Sequence, residues 1–184
     1  SRMQGSYTYP AKFMLVAAMN PCKCGYYPDR TRCKCSEYQI RRYLNKISRP
    51  LLDRMDLCVE ALEIKYKDLS CKSKGESSAQ IRERVKKARH IQIERYAMEP
   101  VRYNGELTAG QVERYCTLGK KEKELMGQVF ERMKLSARSY HRILKVARTI
   151  ADLEESEQIL SHHLSEAICF RGMDKKYWRG GVWN

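Results

Sequence analysis

The sequence predicts a mixed α/β fold that is mainly helical: a short α/β portion with two or three strands, followed by a bundle of helices. Three observations predict it. The run FMLVAAM, Phe13 to Met19, is continuously apolar and lies between Pro10 and Asn20-Pro21, the pattern of a strand covered on both faces in a parallel sheet. DLCVEALEI, Asp56 to Ile64, reads as a second short strand. From Lys72 onward, apolar residues recur at helical spacing in one segment after another.

Between the two strands, EYQIRRYLNKI places Ile40, Tyr43, Leu44 and Ile47 on one helical face, and Pro50 restarts the chain into LLDRM. The polar stretch KSKGESS marks a boundary, dividing an α/β portion at 1–71 from a helical domain at 72–171, with a tail at 172–184. Ser77 with Gln80 has capping-box spacing and opens a heavily charged helix to about Ala97. Thr108 with Gln111 repeats that signature, and Leu107 with Val112 supplies the accompanying hydrophobic staple. A third helix covers Lys120 to Met133, a fourth Ser136 to Leu153, and Ser161 to Ile168 closes the set. In the fourth, Tyr140, Ile143, Leu144, Ala147, Ile150 and Ala151 form an apolar face, while Arg138, Arg142 and Lys145 line the opposite one. Arg138 lies in the first turn, where unpaired backbone N–H groups favour an anion.

Composition bounds the function. The 184 residues are 42% hydrophobic, enough for a core, and carry 36 Lys and Arg against 22 Asp and Glu, a net charge of +14. That excess predicts attraction to nucleic acid or nucleotide phosphates, although a solvated basic surface accounts for charge alone. No segment has the basic start and apolar core of a secretory signal, so the eight cysteines point to a reducing cytoplasm rather than a disulfide scaffold. No apolar run approaches the roughly 18 residues that span a bilayer, so no membrane partner is expected.

Cys22, Cys24, Cys33 and Cys35 form C-x-C-x8-C-x-C, whose two pairs can meet in a tetrahedron around Zn2+. Zinc ribbons more commonly use C-x-x-C; here Gly25 and Pro28 supply the turns. Lys23, Lys34, Arg30 and Arg32 would offset the charge of a zinc tetrathiolate. The competing reading is four reduced cysteines in a surface loop. Tyr26 and Tyr27 are candidates for stacking on bases or for packing against the knuckle. Cys58, Cys71, Cys116 and Cys169 read as isolated core or surface residues, and the four histidines are assigned no chemistry. Trp178 and Trp183 sit in a basic, Gly-rich tail that either docks on the domain or a partner or, as its terminal place favours, lacks fixed structure.

AAMNPCKCGYYPDRTRCKCSEYQIRRYLNKISRPLLDRMDL, followed at a distance by LSARSYHRILKVARTIADLE, resembles the magnesium-chelatase-like AAA+ ATPase family, of the YifB or ComM type. The resemblance extends over nearly the whole chain. It implies the C-terminal part of an AAA+ α/β core followed by a helical lid, belonging with the remainder of its own AAA+ chain. It also implies ATP and Mg2+ as cofactors of the full-length protein, homo-oligomerisation as a hexamer, and DNA as a partner. No GxxxxGK[ST] occurs in the sequence, so this portion alone is not expected to hydrolyse ATP.

The resemblance also assigns roles. Asn20 is similar to the sensor 1 residue that orients the attacking water; Arg54, in LLDRMDL, to the arginine finger that reaches a neighbouring subunit's nucleotide; and Arg138 to sensor 2, which links the lid to the phosphates. By local pattern alone, Asn20 is a turn former before proline, Arg54 pairs with Asp53 or Asp56, Arg49 substitutes as the finger, and Arg138 decorates its helix. Three functions follow: a DNA-translocating motor acting in recombination or natural transformation; a protein-remodelling ATPase of chelatase or Lon-protease-associated type; and a stand-alone module that binds zinc and nucleic acid.

Overall fold

The computed structural model describes residues 6–9, 11, 13–61, 63, 64, 66, 75–172, 177 and 178. The chain forms two compact units, Ser1–Lys46 and Ile47–Asn184.

In the first unit, the cysteine loop leads into helix α1, Glu37–Leu44. Ser36 caps it: its hydroxyl accepts from the Gln39 N–H at 3.3 Å, and the Gln39 side chain accepts from the Ser36 N–H at 2.9 Å. Ile40 and Leu44, one turn apart, are buried.

The predicted strands require correction. Among the described residues there is no sheet: Phe13 to Met19 and the described part of Asp56 to Ile64 form no ladder, and Val16 is 85% exposed. A strand must place every second N–H and C=O against a neighbour. With no neighbouring strand among the described residues, the apolar run has nothing to pair with and nothing to cover it.

The second unit is helical. It opens with α2, Arg49–Leu52, a single turn, then α3, Ser78–Arg95, capped by Ser77 and Gln80 in the predicted box. A 3₁₀ turn, Asn104–Glu106, leads to α4, Ala109–Tyr115, where Gln111 accepts from the Thr108 N–H at 2.9 Å. α5 spans Lys120–Met133, α6 Ala137–Leu153 and α7 Ser161–Cys169. Helix α6 is the central element, packing on α3, α4, α7 and the 3₁₀ turn. Ile143, Leu144, Ala147, Ile150 and Ala151 are buried, as their spacing requires, and Leu107 and Val112 join Met126 and Leu164 in the same core.

Two helix ends use left-handed residues that are not glycine. Lys134 has φ of 45° after α5, and Glu155 has φ of 56° after α6. In both, the following N–H reaches back to close the last turn, Leu135 to the Phe130 carbonyl at 3.1 Å and Ser156 to the Ala151 carbonyl at 2.8 Å.

A polar network runs through this core. The Asp152 carboxylate accepts from Arg95 at 2.5 and 2.9 Å, from Arg148 at 3.1 Å and from the Asn104 amide at 2.8 Å. Asn104 also accepts from the Tyr96 hydroxyl at 2.6 Å, and its N–H donates to Gln92 at 3.0 Å. Arg148 donates onward to the carbonyls of Ser156 and Glu157, fixing the loop after α6. Burial opposes the charge on Arg95, but the Asp152 carboxylate outweighs it and raises its pKa. Among the described residues, no buried side-chain nitrogen or oxygen lacks a partner.

Candidate functional site

The four cysteines converge. Asn20 precedes a tight turn in which the Gly25 N–H donates to the Cys22 carbonyl at 3.1 Å and Gly25 takes φ of 87°, open to glycine at little cost. The Asn20 amide nitrogen lies 3.8 Å from where a Gly25 Cβ would stand, so this side chain rests against the knuckle. The second pair is held by Asp29, whose carboxylate accepts from the Thr31 hydroxyl at 2.6 Å, the Thr31 N–H at 2.9 Å and Arg32 at 2.7 Å. These bonds, that of the Thr31 hydroxyl first, hold the Asp29 carboxyl far below the usual carboxylate range. Its carbonyl accepts from the Cys33 N–H at 2.8 Å.

Tetrahedral zinc with Zn–S bonds near 2.3 Å needs sulfurs about 3.8 Å apart. Here Cys22 is 3.3 Å from Cys24 and 3.8 Å from Cys33, Cys24 is 3.5 Å from Cys33, and all four sulfurs lie within 4.8 Å of one another. The four thiols fit the ion. Cys22 and Cys33 are buried, while Cys24 is exposed.

Burial disfavours the Cys22 thiolate, but the backbone N–H of Tyr27, with bonds from Cys24 and Cys33, overcomes it and brings the thiol down to about 6. Burial pushes Cys33 up to about 11, helped by the Cys24 and Cys22 sulfurs. Cys35 is also raised: a backbone bond from Cys24 favours its thiolate, but contact with the Cys24 and Cys22 sulfurs and burial prevail. The shifts run in opposite directions, Cys22 down and Cys33 and Cys35 up, because the sulfurs sit in contact and one negative charge opposes a second.

The loop arginines also make contacts that the sequence does not announce. Arg32 lies over the Tyr26 ring at 4.9 Å and Arg30 over the Tyr27 ring at 5.0 Å; Arg30 also donates to the Cys35 carbonyl at 3.0 Å and pairs with Glu37. They brace the loop, and each tyrosine already has one face against a guanidinium.

Arg54 and Arg138 both belong to the second unit. Arg54, exposed in the turn after α2, donates to the Pro50 carbonyl at 2.8 Å. Asp56 pairs with Arg142, and Arg54 forms no ion pair among the described residues. The side chain of Arg49 lies outside the described residues, as do Cys71 and Trp183. The basic stripe of α6 is largely engaged: besides the Arg142–Asp56 pair, Lys145 donates to the Gly105 carbonyl at 3.1 Å. Arg138 is exposed in the first turn, one residue past the start of the helix, and makes no hydrogen bond or ion pair among the described residues.

Sequence reasoning missed two features. Arg171, 5% exposed, donates to the carbonyls of Met55 at 2.6 Å and Leu52 at 3.4 Å and to the Ser139 hydroxyl at 2.9 Å. Nothing local marks it, because its partners are more than thirty residues away; an arginine directly after the apolar AICF is the sole hint. The second is Glu154, which meets His162 at 2.9 Å and His163 at 3.0 Å. The adjacent His-His pair was its signal. His163 Nδ1 accepts from the Leu160 N–H at 2.9 Å, so the neutral ring carries its proton on Nε2 and gives it to Glu154. With that tautomer His163 caps the start of α7 and donates to Glu154. The described part of the tail is helical at Tyr177 and Trp178, and Tyr177 donates to Glu60 at 2.5 Å. No described helix is long and apolar enough to cross a membrane.

Comparison with known proteins gives two family matches: residues 75–171 match the model for the C-terminal part of magnesium chelatase subunit ChlI, and residues 1–69 the model for that subunit itself. The chain is 44% identical to competence protein ComM of Haemophilus influenzae, over 94% of this chain and 33% of the relative. It is 40% identical to the uncharacterized protein YifB of Salmonella typhimurium and 39% to that of Escherichia coli, in each case over 95% of this chain and 34% of the relative. The chain thus spans about a third of the length of the curated relatives it matches.

Proposed function

Because the chain belongs to the magnesium-chelatase family, we propose that it supplies the sensor and lid residues of an AAA+ ATPase, a hexamer that translocates DNA in recombination or natural transformation. The observation that carries this reading is the state of Arg138. Its neighbours along the basic face are tied to Asp56 and to Gly105, whereas its own guanidinium is exposed and unpaired among the described residues, beside the N–H groups of a 17-residue helix. An arginine so placed is ready for an anion such as a nucleotide phosphate.

ATP with Mg2+ supplies the phosphoryl group when bound. The sequence contains no Walker A loop, so what this chain contributes is side chains that meet a nucleotide cradled elsewhere. In this reading, Asn20 orients the attacking water, Arg54 reaches across a subunit boundary to stabilise developing charge, and Arg138 reports lid closure. In this reading residues 1–71 belong to the core portion, residues 72–171 to the lid, and 172–184 to a tail. Zinc at Cys22, Cys24, Cys33 and Cys35 staples the loop beside Asn20; the fit of the sulfur spacings to a tetrahedron supports this.

The net charge of +14 and the relative named a competence protein support DNA as the substrate. Fluorescence anisotropy with single-stranded DNA across a salt series tests it: affinity is expected to fall steeply with salt, as counterions are released. Binding that is absent or indifferent to salt would instead favour the protein-remodelling reading, which the magnesium-chelatase match supports.

A further inference from the structure

We propose that Arg171 is a positioning residue that makes the turn carrying Arg54 and the helix start carrying Arg138 move as one piece. The inference rests on the reading above, in which both arginines meet nucleotide phosphates. The Arg171 fork has one arm on each side: Nη1 bonds the carbonyls of Leu52 and Met55, which flank Arg54, and Nη2 bonds the hydroxyl of Ser139, next to Arg138.

Arg171 has no ion pair among the described residues; within them a nearly buried charge meets carbonyls and a hydroxyl. For stability alone this is a poor use of a cation, because desolvation is repaid only in part. What a planar guanidinium adds is geometry: its fixed donors reach two segments at once, where a lysine ammonium presents a single point. The carbonyls it takes belong to the end of the one-turn helix α2 and the turn after it, which α2 is too short to fix by itself.

Two further ties act in the same direction. The Cys58 N–H donates to the carbonyl of Phe170, adjacent to Arg171, at 3.1 Å, and Asp56 pairs with Arg142, one turn along from Arg138. The segment on which Arg54 sits is therefore bonded on both sides to the α6–α7 pair. A rotation of the bundle that follows phosphate contact at Arg138 then carries Arg54 with it, linking the nucleotide of one subunit to that of the next.

The test is ATP turnover in a chain extended to the full length of the ComM and YifB relatives, with Arg171→Lys made in two backgrounds. In the wild-type background, kcat is expected to fall by about 10- to 100-fold through misplacement of Arg54. In an Arg54→Ala background, the same substitution is expected to cost less than about two-fold, because the residue through which it acts is gone. An equal loss in both backgrounds, or none in the first, overturns the proposal. If Arg171→Lys does not fold, Ser139→Ala cuts one arm while Arg171 keeps its bonds to Leu52 and Met55, and the same two-background comparison applies. If Arg54→Ala itself leaves turnover intact, the finger reading has failed, and amide exchange in the present chain decides the coupling. Arg171→Lys should then speed exchange at Arg54 and Met55 and at Ser139 and Tyr140 together; a change at one end only refutes it.

Discussion

Replacing Asp152 with alanine removes the centre of the network that holds the bundle. The carboxylate is fully buried and takes four bonds, two from Arg95 and one each from Arg148 and Asn104. Without it, Arg148, 3% exposed, keeps only the carbonyls of Ser156 and Glu157, and Arg95 loses both of its bonds to the carboxylate. Breaking a buried pair from one side costs about 3–5 kcal/mol, because a desolvated charge is left behind. For a chain of this size, each kcal/mol lowers Tm by about 2–4 °C, giving a fall of about 6–20 °C. Asp152→Asn keeps an acceptor oxygen and removes the charge, so it should fall between the wild type and alanine. Thermal melting followed by far-ultraviolet circular dichroism measures both. A fall of less than about 2 °C for the alanine variant would show that the network does not hold the helices together.

Two further outcomes follow from the thiols. Protein purified without added metal should contain about one zinc per chain, and Cys22→Ser should lower that content; no zinc, with four freely titrating thiols, would contradict the tetrahedral assignment. Burial pushes the Cys116 thiol from 9.0 to about 11, so folding favours its protonated form. Below pH 9 both states hold the proton and the thiol has no effect on the balance. Between pH 9 and about 11 the unfolded chain ionises first, and the thiol costs up to about 3 kcal/mol of stability. Denaturant unfolding at pH 8 and at about pH 10.5 should show a smaller decline for Cys116→Ala than for the wild type, and equal declines would refute the shift.

The helices were legible because their signals are local. Ser77 with Gln80, Ser136, and the spacing from Tyr140 to Ala151 each lie within a few turns of what they specify, and the structure places them accordingly. The strands were not, since Phe13 to Met19 states only that the run is apolar, whereas a ladder depends on partners elsewhere. The cysteine cluster was legible from spacing, but its bracing was not: Arg30 and Arg32 read as counter-charges, and nothing in the spacing shows that they also pack on Tyr27 and Tyr26. Arg171 was invisible for a related reason, its nearest partner in sequence being Ser139 and its others Leu52 and Met55. Long-range hydrogen bonds leave no periodic trace in a sequence.

The most direct test of a finger acting between subunits is a mixing experiment on chains of the relatives' full length. One population carries Arg54→Ala and the other a disabled phosphate-binding loop. Arg54→Ala alone is expected to lose roughly 10³-fold or more in ATP turnover, and mixing should restore part of it, because intact phosphate loops then face intact guanidiniums. Turnover undiminished by Arg54→Ala, or a loss that mixing leaves unchanged, would contradict the account.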